Sequence, residues 1–227
     1  MIKDIKLGIA MMQNGLTYVH GIFAFLIAVG ASIIFAFLLP VPMLSGLFIA
    51  VGVLGVVQQV YTVTVSTMVQ SSPYKKKLRT TIPAYIAGIV LVIGNTMCLV
   101  MHWLAYLRVK DNTEIYLMLM EYDSKEYANS MIICATFMVL FLLFTVLANV
   151  FFKLSILVCI GIWIWFRVLN TTIEFVFWDI SIETGIVLSY VVVLIGSIVL
   201  YGVNCLIYKF EYSELSYRGA IKRASEE

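Results

Sequence analysis

Residues 7 to 74 contain no Asp, Glu, Lys or Arg. A bilayer core of about 30 Å takes roughly 20 apolar residues as a helix. The run is too long for one crossing and suits two with a hairpin between them. Composition agrees with a lipid solvent. The chain is 62% hydrophobic and 12% charged, whereas a soluble domain is about a quarter charged. The expected fold class is an all-α polytopic membrane protein, one transmembrane domain over residues 1–227.

Charged and turn residues cut the chain into six spans: about 18–39, 43–67, 84–106, 129–151, 154–170 and 184–208. The first ends at Pro40-Val41-Pro42, the second before Ser71-Ser72-Pro73, and the third begins after Pro83. Six spans put both termini on one side, and the positive-inside rule chooses the cytoplasm. The inner segments then hold Lys3, Lys6, Lys75, Lys76, Lys77, Arg79, Lys153, Lys209, Arg218, Lys222 and Arg223. Only Arg108, Lys110, Lys125 and Arg167 fall outside, and most acids join them. Trp103, Tyr106 and Trp178 mark the outer interface, and Tyr18, Tyr85 and Tyr208 the inner one. The first seventeen residues read as an N-terminal amphipathic interfacial helix. Ile2, Ile5, Ile9, Met12 and Leu16 recur at helical spacing, with Lys3, Lys6, Ala10, Gln13 and Thr17 on another face.

Several function classes are excluded or unsupported. A net charge of +2, with no basic run interleaved with aromatics, gives no nucleic-acid surface. No G-x-x-x-x-G-K-[ST], H-E-x-x-H or G-x-S-x-G occurs, so the chain binds no ATP in P-loop fashion and carries no recognisable catalytic motif. Cys98, Cys134, Cys159 and Cys205 lie in apolar stretches without CxxC spacing, and read as buried small hydrophobes. His20 and His102 fall in no zinc pattern and read as polar interface residues. No catalytic, cofactor-binding or metal residue is assigned, and no enzyme activity is expected. Lys3 and Lys6 precede an apolar run too long for a cleavable signal. Asn170-Thr171-Thr172 matches a glycosylation sequon, a pattern common by chance.

Within the spans, Ala24, Ala28, Ser32 and Ala36 form a small-residue stripe on one helix face. It suits close packing, either inside the monomer or against a second subunit. Gln58, Gln59, Asn95, Asn149 and Asn204 should point inward, since lipid satisfies no amide. They serve interhelical hydrogen bonds or, for Gln58, Gln59 and Asn95, a substrate path. Arg167 ends the fifth span and is expected to pair with Glu174 or Asp179. Residues 171–183 are too apolar for a wet loop and too short to cross. They read as an outer re-entrant or surface-lying segment, a gate or an anchor.

The most specific local signal is Ser71-Ser72-Pro73-Tyr74-Lys75-Lys76-Lys77-Leu78-Arg79-Thr80-Thr81-Ile82-Pro83. Ser72 suits an N-cap and Pro73 a first helical position. Pro83 disfavours helix at Ile82. A helix of about two turns over 72–81 is expected, with Tyr74 and Leu78 as its apolar edge. Three lysines near its N-terminus oppose the macrodipole, so the charges face something external: anionic lipid or an acidic partner.

This layout resembles the membrane permease of type-2 ATP-binding-cassette exporters. Those permeases have an amphipathic inner-surface helix, six spans, and a cytoplasmic coupling helix between the second and third. They also have short re-entrant helices between the fifth and sixth. The matching stretches are 1–17, the six spans, 71–82 and 171–183, and Ser71-Ser72-Pro73-Tyr74-Lys75-Lys76-Lys77-Leu78 resembles small permeases of Gram-positive bacteria. The resemblance implies a bacterial cell-membrane subunit that pairs with a second permease copy or a related permease. Ser72, Pro73, Tyr74, Lys75, Lys76, Lys77, Leu78 and Arg79 would dock on a separate P-loop ATPase subunit. ATP would be bound by that partner and a peptide or lipid-like substrate moved outward. The acidic segment 107–128 is longer than the family's compact outer loops. The competing class is a non-transport scaffold or sensor whose basic loop binds membrane lipid or a partner.

Overall fold

The computed structural model describes residues 2–13, 18–38, 42–111, 124–151, 156–157, 160–161, 164 and 179–211. Every regular element among them is an α-helix: α1 (Ile2–Gln13), α2 (Tyr18–Leu38), α3 (Pro42–Thr64), α4 (Thr67–Ser71), α5 (Lys75–Arg79), α6 (Thr81–Asp111), α7 (Ser124–Val150) and α8 (Ile182–Ile207). Four described stretches are long and apolar enough to cross a membrane: Gly46–Thr64, Lys75–Leu107, Lys125–Val150 and Ile182–Ile207. This all-helical architecture is compatible with a membrane protein. α2 adds a shorter apolar stretch, Ile22–Ile34. The expected fifth span, 154–170, lies almost wholly outside the described residues, as do Arg167 and Glu174.

α3, α6, α7 and α8 enclose the core. On α3, Ile49, Val53, Val57 and Val60 bury one stripe at spacings of three and four. On α8, Ile182, Gly185, Ser189, Val193, Gly196, Leu200 and Asn204 do the same. Gly185 packs against the backbone of Ala128, and Gly196 against Val139. In lipid there is little hydrophobic drive between helices, so close approach over small residues carries the association.

Those two contacts also fix direction. Ala128 precedes Val139 on α7 as Gly185 precedes Gly196 on α8, so the helices run parallel. Phe151 and Asp179 therefore stand at opposite ends of the bundle. α6 runs against α8: Asn95 bonds Ser189, and Gly88, seven residues earlier, lies against Ser197, eight residues later. α6 has 31 residues, about 46 Å of helix, and outreaches a core of about 30 Å.

One local expectation is corrected, and two gain detail. Pro83 lies inside the first turn of α6 rather than before it, and Ile82 is helical. The first helical N–H groups need no intrahelical acceptor, so proline is tolerated there. On α1, Gly8 and Met11 are buried while Ile9 is exposed. Gly8 meets Ile82 and Ile86 of α6, and its missing Cβ permits that approach. The face packed on protein is thus 4, 8 and 11. In the small-residue stripe, Ala28 and Ser32 are buried but Ala24 is exposed. A Cβ at Gly52 of α3 would lie 3.0 Å from the Ala28 Cβ. Ala28 therefore serves packing inside the monomer. The side chain of Ala36 lies outside the described residues.

Candidate functional site

The linker between α3 and α6 folds as two separate single turns, α4 and α5, not one helix over 72–81. Ser66 caps α4 by accepting the Val69 N–H at 3.4 Å. Ser72 is then the C-cap of α4, and Tyr74 stands at the N-cap of α5. The Ser72 hydroxyl accepts the Tyr74 N–H at 3.1 Å, a turn-type bond that competes with helix. Pro73 occupies the turn.

The basic residues of the linker have different fates. Tyr74 is 69% exposed. Lys76 and Lys77 are exposed, and Lys75 and Leu78 are half-buried. Lys77 pairs with Asp4 of α1 at 2.6 Å. That ammonium holds the Asp4 carboxyl below its ordinary value. The Lys76 ammonium stands 5.6 Å from the centre of the Tyr208 ring. Arg79 is buried, and its Nη2 donates to the Phe210 carbonyl beyond α8 at 2.9 Å. It cannot contribute to an external docking face, which corrects that assignment. Thr80 closes α5 by donating its hydroxyl to the Lys76 carbonyl at 2.8 Å. The linker is thus fixed to α1 on one side and to the end of α8 on the other.

Beside Arg79 lies a polar pocket of about 10 Å³, lined also by Tyr61, Asn149 and Asn204. That is room for about one water. The Asn204 amide donates to the Tyr61 hydroxyl at 2.8 Å, joining α8 to α3.

Of the amides assigned to a substrate path, Asn95 and Gln59 are buried and Gln58 is exposed. Adjacent helical residues point about 100° apart, so both glutamines cannot face inward. Gln59 donates to the Gly55 carbonyl of its own helix at 3.3 Å. Asn95 donates to the Ser189 hydroxyl at 3.2 Å, and its own carbonyl oxygen is buried without a partner among the described residues. Asp179 pairs with Lys125 at 2.9 Å across the starts of α8 and α7, on the surface. It lies by the starts of α7 and α8, away from the linker end of α3 that carries Gln59.

The structure joins residues that spacing alone kept apart. Cys98 and His102 are one turn apart on α6, and Cys134 faces them from α7. Their ligand atoms all lie within 4.8 Å of one another, and all three residues are buried. His102 is fully buried, not an interface residue as its sequence position implied. Gly46 of α3 closes the cluster: a Cβ there would collide with the Cys134 sulfur and come within 3.0 Å of that of Cys98. The cluster lies at the bundle end opposite the basic linker.

An apolar groove of about 570 Å³ opens outward between α6 and α8. Gly88 and Ser197 are among its lining residues, with Tyr85, Ile89, Leu194 and Ile198.

No family model, no curated protein and no solved structure matches this chain.

Proposed function

We propose that this chain is the permease subunit of an ABC-type exporter with six spans and cytoplasmic termini, driven by a separate ATPase. One observation carries the reading. The linker between two long helices presents an exposed Tyr74 beside exposed Lys76 and Lys77, while Asp4 and Phe210 tether its flanks. A push on such a tip is transmitted to α3, α6 and α8 together, as coupling to an external motor requires. The parallel course of α7 and α8 supports a further crossing between them. The groove between α6 and α8, lined almost entirely by apolar side chains, suits an acyl chain better than a polar peptide, so a lipid-like substrate is preferred.

The test is a photoreactive residue in place of Tyr74, with the chain purified from its native membrane. It should crosslink to a nucleotide-hydrolysing subunit, and Tyr74→Ala should abolish that association. Neutralising Lys75, Lys76 and Lys77 should weaken association in part, and more at low salt, because exposed charges are screened. In a background without native cysteines, Lys76→Cys should resist an impermeant thiol reagent in intact cells, and Ser124→Cys should react. Binding to anionic vesicles through the lysines, with no ATPase recovered, would replace the transport reading by a lipid-binding scaffold.

A further inference from the structure

We propose that Cys98, His102 and Cys134 form a binding site for a thiophilic divalent cation of the zinc class, fastening α6 to α7. The inference stands apart from the transport reading. Three observations carry it.

The first is convergence. Three soft or borderline ligands from two helices place their donor atoms within 4.8 Å of one another. Thiolate and imidazole select zinc-like ions, whereas magnesium and calcium need oxygen ligands. The second is the imidazole. His102 Nδ1 lies 2.8 Å from the Cys98 carbonyl. A carbonyl only accepts, so Nδ1 carries the proton. Nε2 is then a bare acceptor, and it is buried with no hydrogen-bond partner among the described residues. A ring held by Nδ1–H to a backbone carbonyl, with Nε2 free, is the usual preparation of a metal-ligating histidine. Leaving a buried acceptor unmet costs about 1–3 kcal/mol. The third is room. Only glycine at 46 lets α3 close over both sulfurs without a collision.

Charge selects the ion. Binding releases the two thiol protons to solvent. One dication, two thiolates and a neutral imidazole then sum to zero. A neutral site avoids the cost of an isolated charge in a low-dielectric interior. A monovalent soft cation would leave one net negative charge.

The test uses the full chain, reduced and metal-free in detergent, carrying Cys159→Ser and Cys205→Ser so that the cluster itself is untouched. Titration with Co²⁺ should give one equivalent bound, with thiolate-to-metal charge-transfer bands and ligand-field intensity typical of a tetrahedral site. Zn²⁺ should displace it. Because Cys98 and Cys134 are then the sole thiols, the bands identify them. Cys98→Ser, Cys134→Ser and His102→Gln should each weaken affinity more than about 100-fold, since even outer-shell partners are worth about 10–100-fold. The proposal fails if the intact cluster gives no charge-transfer band. It fails equally if Cys98→Ser and Cys134→Ser, still monodisperse and helical, bind as the parent does. A Cys98–Cys134 disulfide found by peptide mapping, with no Co²⁺ capture after reduction, would make the pair a covalent clasp instead.

Discussion

Gly185→Ala and Gly202→Ala are the same chemical change on one helix, and the packing assigns them opposite signs. A Cβ at 185 would lie 2.9 Å from the Cα, Cβ and carbonyl oxygen of Ala128. Two of those atoms are backbone and cannot rotate away, so α7 and α8 must separate. Overpacking of this kind costs about 1–3 kcal/mol, and a rigid neighbour puts it in the upper half of that range. Alanine returns about 0.5–1 kcal/mol of helix propensity. The net expectation for Gly185→Ala is a loss of about 1–2 kcal/mol. At 202 nothing among the described residues lies within 4 Å of the added carbon. Only the propensity gain of about 0.5–1 kcal/mol remains. For a chain of this size 1 kcal/mol moves a midpoint by about 2–4 °C. Gly185→Ala should therefore melt several degrees below the parent in detergent, and Gly202→Ala slightly above it. All three are compared at one scan rate, because membrane proteins often unfold irreversibly. Equal stability of Gly185→Ala and parent would refute the close parallel packing of α7 on α8, and with it the placement of Phe151 and Asp179 at opposite ends of the bundle.

Asn95→Leu should be neutral or mildly stabilising in the same assay, since it removes a buried carbonyl oxygen that has no partner. Ser189→Ala should destabilise by about 1–3 kcal/mol, because it orphans the Asn95 amide as well. A folded Asn95→Leu protein that loses transport would make that amide part of the substrate route rather than glue. The Asp4 carboxyl is held below its ordinary value by Lys77, so the ion pair's contribution to the docking of α1 on the linker is fully present above about pH 3.9 and is lost as pH falls through the lowered folded value. Hydrogen exchange across residues 2–13 should rise on that acid limb alone, and Asp4→Asn should remove the pH dependence.

What the sequence made legible follows from the distance over which each signal acts. Apolar run length and prolines place α2, α3, α6 and α8 within a few residues, because crossing a bilayer needs a fixed length of helix. Local capping chemistry did less well. Ser72-Pro73 is a good helix start taken alone, but Ser66 had already opened a turn upstream, and the Ser72 hydroxyl turned to the Tyr74 N–H. Gln58 and Gln59 show a second limit: composition marks a polar pair, but only the phase of α3 decides which one is buried. Arg79 shows a third. It reads as one more charge in a basic run with Lys75, Lys76 and Lys77. Its actual partner, the Phe210 carbonyl, is 131 residues away in the chain.

The same reasoning explains why the cysteine–histidine cluster escaped a search by spacing. Cys98 and His102 are four apart, which puts them on one helix face, and that half of the site is written in the sequence. Cys134 comes from the antiparallel neighbour, and its register against α6 is set by contacts elsewhere. Tyr106 stacks edge-on against Tyr127 at 5.5 Å. From that pair, eight residues back along α6 reach Cys98, and seven forward along α7 reach Cys134. Two turns of each helix carry both sulfurs to the same level. The register that creates the site is therefore enforced by aromatic packing near the helix ends, not by the ligands. Tyr106→Ala should then weaken Co²⁺ binding without touching a ligand, while a surface change such as Leu104→Ala on the same helix should not. Equal binding by both variants would show that the ligands set their own register.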